Sequence, residues 1–202
     1  MTRILTKAHL QQVIDVREVI DVVERAFAHF EQGKAVVPGR TAIHVPEHDG
    51  LCLVMPGYLS ESGALGVKLV TVYPGNPGRY GLPNVLGVLV LLDHRTGQPI
   101  CIMDATYLTA VRTGAACAAA TRHLARHDAH SLAVIGTGAQ AEAIATAICA
   151  VRDIQEIKAF SVAPQSSRDA FCTSVGERTG IRVMLTDSAE CAVKDSDIVV
   201  VA

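Results

Sequence analysis

The chain has no tryptophan, and only four tyrosines and four phenylalanines among its 202 residues. A core must therefore be built from Val, Ile, Leu and Ala, side chains that suit parallel strands covered by helices. Charge is sparse and balanced, with 18 Lys and Arg against 20 Asp and Glu and a formal net charge of −2. No basic tail or stripe is present, which argues against nucleic acid as a partner. No stretch approaches the roughly 20 consecutive apolar residues of a membrane-spanning helix. The opening MTRILTKAHL lacks the apolar run of a signal peptide. The six cysteines form no C-x-x-C pair, a pattern that fits reduced core thiols in a cytoplasmic protein. A G-x-S-x-G elbow and a P-loop are also missing. His44, His48 and Asp49 lie in a polar turn, and His123, His127 and His130 at a helix end, so no metal site is expected.

What is present is an apolar half: 50% of residues are hydrophobic and 19% charged, which supplies a sizeable core and excludes disorder. The spacing of Val16, Val19, Ile20, Val23, Ala26, Phe27 and Phe30 predicts an amphipathic helix from Asp15 to Gly33. Short β-like runs follow at 41–45, 51–55, 65–73, 86–92 and 100–103, separated by Gly, Pro and Asn. The longest of these connections, GNPGRYGLPN, is long enough to suggest a functional loop. A helix is predicted over 105–126, with Asp104 as its N-cap. Its GAACAAAT stretch carries almost no bulk, so another backbone or a ligand can approach closely. From Asp128 onward the rhythm becomes βαβαβαβ, with strands at 132–135, 157–162, 181–185 and 198–201. That alternation predicts a parallel, doubly wound sheet. Because the chain stops inside the last of these strands, it reads as the front part of a longer protein.

Residues 132–143, LAVIGTGAQAEA, place G-x-G-x-x-A between a strand and a helix. Gly136 permits the tight turn, Gly138 lets a pyrophosphate reach the backbone, and Ala141 lets helix and strand pack closely. The helix N-terminus offers free N–H groups to phosphate oxygens. The second strand of such a unit commonly ends in an acid that binds the adenosine ribose. In KAFSVAPQSSRDA that place is taken by Ser161. With no carboxylate to repel a 2′-phosphate, and with Ser166, Ser167 and Arg168 nearby, the cofactor reading is NAD(P), leaning to NADP.

Lys68 sits inside an apolar strand, where an ammonium ion needs a partner. With Arg40, after a Pro-Gly turn, and Arg112, in the small-sided helix, it makes a set able to hold a carboxylate. Taken singly, the same residues also read as a snorkelling lysine, a surface arginine and a structural ion pair.

The segments VKLVTVYPGNPGRYGLPNVLGVLVLLDHRTGQPICIMDATYLTAVRTGAACAAAT and VIGTGAQAEA resemble the ornithine cyclodeaminase/mu-crystallin family, which also holds archaeal-type alanine dehydrogenases and ketimine reductases. The resemblance implies an α/β fold, with a Rossmann-type doubly wound parallel sheet preceded by an α+β substrate-binding and dimerisation domain. The implied boundaries are 1–127 for the first domain and 128–202 for the NAD(P)-binding domain. It implies an enzyme and a homodimer, with a small amino or imino acid as substrate. The implied reaction is hydride transfer at Cα, as in conversion of ornithine to proline with ammonia release. Alanine dehydrogenase and imino-acid reductase are the alternatives within the family, and a mu-crystallin-like NADPH-binding protein without turnover is the alternative of another class. The resemblance maps the substrate-carboxylate residues onto Arg40, Lys68 and Arg112. It maps the cofactor contacts onto Asn84, Arg112, Thr113, Gly136, Thr137, Gly138, Ala139, Gln140, Ser161 and Arg168. The chain departs from the family at Asn84, where many members have Thr, and at Ser161, where NAD-preferring members have an acid. The aspartate that ornithine cyclodeaminases use would lie beyond residue 202.

Overall fold

A computed structural model describes residues 1–202. In chain order the elements are β1 (Arg3–Leu5), α1 (Lys7–Val13), α2 (Val16–Glu31), β2 (Ala35–Val36), β3 (Thr41–Val45), β4 (Gly50–Leu59), β5 (Ala64–Val72), α3 (Asn76–Tyr80), β6 (Val85–Asp93), β7 (Pro99–Asp104), α4 (Ala105–Leu124), β8 (Ser131–Ile135), α5 (Ala139–Cys149), β9 (Glu156–Phe160), α6 (Gln165–Thr179), β10 (Val183–Leu185), α7 (Ala189–Val193) and β11 (Ile198–Val201). No helix is long and apolar enough to cross a membrane.

The chain divides into two compact units. The first comprises 1–14 and 25–109, and the second 15–24 and 110–202. By packing, the division therefore falls within α2 and α4, whereas the family resemblance implies a boundary at 127/128. The N-terminal part of α2 and the C-terminal part of α4 group with the second sheet because Ile20 packs with Ala115, Ala118, Ala119 and Ala147.

The first unit carries a seven-stranded sheet in the order β1-β7-β6-β5-β4-β2, with β3 also pairing β4. Strands β4, β5, β6 and β7 form an antiparallel meander. β4 is longer than its sequence pattern suggests and runs through Pro56. The proline is tolerated because β3 pairs only as far as Val54 and β2 begins at Tyr58, so Pro56 falls in a gap in the ladder on that side. β1, too short to show a period, joins the sheet by parallel pairing with β7.

The second unit holds a four-stranded parallel sheet in the order β10-β9-β8-β11. The order reverses between β8 and β11, which makes the crevice beyond their carboxyl ends the switch point of a doubly wound sheet. The core is aliphatic, as the composition requires: Leu132, Val134, Ile144, Ile148 and Ile157 are buried, with Phe171 the aromatic among them. All six cysteines are free thiols.

Candidate active site

In the first unit, β5 lies between β4 and β6, and Lys68 stands opposite Met55 on one side and Leu89 on the other. Side chains alternate along a strand, and the exposures follow: Leu69 is 38% exposed, whereas Val70, on the Lys68 face, is 5% exposed. Lys68 itself is half-buried. The same face carries Gly87, opposite Val70. A Cβ there would come within 3.3 Å of the Ala105 Cβ, so the start of α4 lies close over the sheet.

Arg40 directly precedes β3, where Thr41 pairs with Val54. Arg40 is exposed. The Asn84 carbonyl accepts a hydrogen bond from the Tyr73 N–H at 2.8 Å. That bond closes the 73–84 connection, and the Asn84 side chain is left exposed. The connection is not bare loop: it contains α3 and borders a recess of about 290 Å³ lined by His48, Tyr73, Asn76, Arg79 and Tyr80. None of the candidate residues lines that recess. Asp104 caps α4, as expected, with Oδ1 accepting from the Tyr107 N–H at 2.8 Å.

In the second unit, α4 presents Arg112 exposed and Thr113 half-buried. Burial pushes the Cys117 thiol up, opposed by the Arg112 charge. The glycine turn joins β8 to α5. Gly136 has φ +116°, and a Cβ on it would run into the Ala202 carbonyl, so only glycine serves. The Gly136 N–H donates to the Phe160 carbonyl at 2.8 Å. That bond ties the ends of β8 and β9 together and brings Ser161 beside the turn.

The residues of the turn fit a nucleotide pyrophosphate. A Cβ on Gly138 would meet nothing within 4 Å, so the space over it is open. Gly138 caps α5 without any side-chain hydrogen bond, which leaves the N–H groups of Ala139, Gln140 and Ala141 without helical acceptors. Thr137 is 8% exposed, and its Oγ1 is buried with no hydrogen-bond partner. Ala141 is fully buried against the strands, where a larger residue would lift the helix off the sheet. Glu142, the acid in the first turn, is engaged elsewhere, accepting from Ser174 Oγ at 2.7 Å and pairing with Arg178 at 3.1 Å.

Ser161 follows the last residue of β9, and its Oγ accepts from the Ala163 N–H at 3.1 Å. Arg168 lies in the first turn of α6 and donates to Gln165 Oε1 at 2.6 Å, while its Nε is buried without a partner. Met55 and Leu89 escape a reading of the sequence. Both look like ordinary strand residues until the register sets them beside Lys68.

The model of the ornithine cyclodeaminase/mu-crystallin family matches residues 1–202. A Delta(1)-pyrroline-2-carboxylate reductase from Bacillus cereus is 35% identical over 190 residues, which are 94% of this chain and 58% of that protein. The structure of Thermococcus litoralis Delta(1)-pyrroline-2-carboxylate reductase in complex with NADH and L-proline is similar with a TM-score of 0.95 and 41% identity, over 99% of this chain and 61% of that one. An archaeal alanine dehydrogenase dimer with bound NAD is similar with a TM-score of 0.89 and 36% identity, over 100% of this chain and 60% of that one. The chain therefore spans about three fifths of the length of the relatives it matches.

Proposed function

The chain belongs to the ornithine cyclodeaminase/mu-crystallin family, and we propose that it works as a nicotinamide-dependent reductase of a small imino acid. The observation that carries this reading is the likeness to the Thermococcus litoralis reductase, which holds L-proline. Proline is what remains when a hydride and a proton are added to the ring C=N of pyrroline-2-carboxylate.

In this reading Gly136, Thr137, Gly138, Ala139 and Gln140 hold the cofactor pyrophosphate, and Asn84, Arg112 and Thr113 border the rest of the cofactor. Bound nicotinamide supplies the hydride. Arg40 and Arg112 orient the substrate carboxylate through charge-assisted hydrogen bonds. Lys68 polarises the imine nitrogen and gives it a proton as Cα is reduced. The cofactor is NAD(P), with NADP preferred, because Ser161 offers no carboxylate against a 2′-phosphate and Arg168 offers a cation.

A homodimer fits the first sheet. The face opposite Lys68 is apolar and open, with Leu69 38%, Ile43 55% and Val36 60% exposed, the kind of surface that a partner covers. The archaeal alanine dehydrogenase relative is a dimer.

The test is an assay of the purified protein with pyrroline-2-carboxylate, with pyruvate plus ammonia, and with L-ornithine, each with NADH and NADPH. Oxidation of the reduced cofactor by the ring imino acid supports the proposal. Activity confined to pyruvate plus ammonia indicates an alanine dehydrogenase. Ammonia release from ornithine without net cofactor change indicates a cyclodeaminase. Saturable cofactor binding without any turnover indicates a binding protein.

A further inference from the structure

We infer that Arg178 is a positioning residue for the cofactor: by pairing with Glu142, it draws aside and offsets the one charge carried by the helix that receives the pyrophosphate. The inference rests on the reading that the glycine turn holds a nicotinamide dinucleotide, and it deepens that reading.

The place of the charge is the first observation. α5 reads AQAEAIATAIC, and Glu142 is its one acidic or basic residue. The Glu142 N–H donates to the Gly138 carbonyl at 3.1 Å. Glu142 therefore comes directly after Ala139, Gln140 and Ala141, whose N–H groups lack helical acceptors. Three residues of helix advance about 4.5 Å, and helical Cα–Cβ bonds tilt toward the N-terminus. A carboxylate at this position stands within one turn of the free N–H groups. It is drawn to the same partial positive charge as a phosphate. Left to itself, it competes with a bound pyrophosphate and repels it.

The second observation is what holds that carboxylate. Glu142 Oε1 accepts from Ser174 Oγ at 2.7 Å and pairs with Arg178 at 3.1 Å. Both partners lie on α6, four residues apart and hence on one face of it. The carboxylate is thereby directed toward α6, and a guanidinium matches its charge.

The third observation concerns the turn itself. The Thr137 hydroxyl is buried there without a partner, and the space over Gly138 is open. A cradle for an anion thus stands one turn from an acid, and the pairing with Arg178 makes the two compatible. A pair that only fastened α5 to α6 would give the same sign of effect when either partner is lost. An offset charge gives opposite signs.

The experiment reads those signs. NADH is titrated by nicotinamide fluorescence against the parent protein, Glu142→Gln, Arg178→Met and the double variant, with a thermal melt of each. Glutamine keeps an acceptor for Ser174, and methionine keeps an unbranched stem. Both single variants are expected to lower Tm. Arg178→Met is expected to weaken NADH binding about threefold, and Glu142→Gln to tighten it about threefold. The double variant is expected to return to within about twofold of the parent, and Arg178→Lys, which keeps the charge, to match the parent. Both shifts are expected to shrink in about 0.5 M NaCl, where charges at this separation are screened. Weaker binding in both single variants, or no change in either, overturns the inference and leaves the glycine turn as the cofactor site. If Arg178→Met does not fold, the sign of the Glu142→Gln shift decides. A parent protein that binds neither NADH nor NADPH overturns the cofactor reading and the inference with it.

Discussion

Gly114 of α4 and Ala143 of α5 meet backbone to backbone. A Cβ at position 114 would stand 2.8 Å from the Ala143 carbonyl carbon and 3.2 Å from the Ile144 nitrogen. Alanine normally stabilises a helix interior over glycine by about 1 kcal/mol. At this contact the neighbour is main chain and cannot turn aside, so the overlap outweighs the propensity. Gly114→Ala is expected to destabilise the protein by about 1–3 kcal/mol, read as a lower Tm in a thermal melt. A rise in Tm would show that the helices have room to separate.

Thr137 gives a sharper test of the glycine turn. Its hydroxyl is buried without a partner, so Thr137→Val removes a group that is already costly, at about 1–3 kcal/mol for an unsatisfied buried polar atom. The apo protein is expected to melt at the same or a higher temperature. Affinity for NADH and NADPH, followed by nicotinamide fluorescence, is expected to fall about fivefold, the equivalent of one hydrogen bond. Unchanged affinity would mean that the hydroxyl does not serve the cofactor.

The glycine turn and Lys68 differ from the rest in how openly the sequence announces them. The glycine turn is legible because its requirements are local: a positive φ at Gly136, space at Gly138 and a small residue at Ala141, all within six positions. Lys68 is legible as a charge in an apolar strand. Its neighbours are not, because Met55 and Leu89 reach it only through a register that the hairpin turns set at a distance. α3 escapes periodicity because five residues are too few, although Pro77 near its start and Gly81 with φ +65° at its end are recognisable start and stop signals. α2 misleads in the opposite direction. Phe27 and Phe30 fall on its apolar stripe, yet they are 55% and 52% exposed, while Ile20 on the same stripe is fully buried against α4. Periodicity finds the stripe but not how far the covering element extends.

The proposed cofactor preference is tested at Ser161. Its Oγ is within hydrogen-bonding reach only of the Ala163 N–H in the protein, and it occupies the strand end where a ribose-binding acid is expected. Ser161→Asp places a carboxylate there, which repels a 2′-phosphate and accepts the 2′-hydroxyl. The ratio of NADPH to NADH affinity is expected to drop at least tenfold. Titration of both cofactors against parent and variant measures it, and an unmoved ratio rules out a role for this position.

Asp197 links the starts of β8 and β11, neighbours in the second sheet, and is expected to make the fold pH-sensitive. It accepts the N–H groups of His130 at 3.0 Å and Ser131 at 3.1 Å and the Ser131 hydroxyl at 2.8 Å, and it pairs with Arg126. The His130 N–H first, and the Ser131 hydroxyl next, hold its carboxyl well below the ordinary carboxylate range. A folded-state pKa below the unfolded value of about 3.9 contributes stability at neutral pH, and that stability is lost as pH falls below about 4. Asp197→Asn is expected to lower Tm at neutral pH. The gap between parent and variant is expected to narrow as pH is lowered through that range. A gap independent of pH would assign the loss to hydrogen-bond geometry and not to the charge.

Lys68→Met tests the chemistry most directly. Methionine keeps the length and the apolar stem, matches the Met55 and Met103 of the same row, and removes only the ammonium. If Lys68 supplies the proton to the imine nitrogen, kcat/KM for the imino acid is expected to fall by about 10²–10⁴. NADH and NADPH affinity should hold, because the glycine turn belongs to the other unit. Lys68→Arg is not expected to restore turnover, since a guanidinium stays protonated throughout the working pH range. The pH profile separates the remaining possibilities. A residue that only binds the carboxylate would raise KM and leave the profile of kcat unchanged. A proton donor would remove a limb from the profile as well as lower its height. Full turnover by Lys68→Met would leave Arg40 and Arg112 as carboxylate ligands, and the proton would have to come from elsewhere.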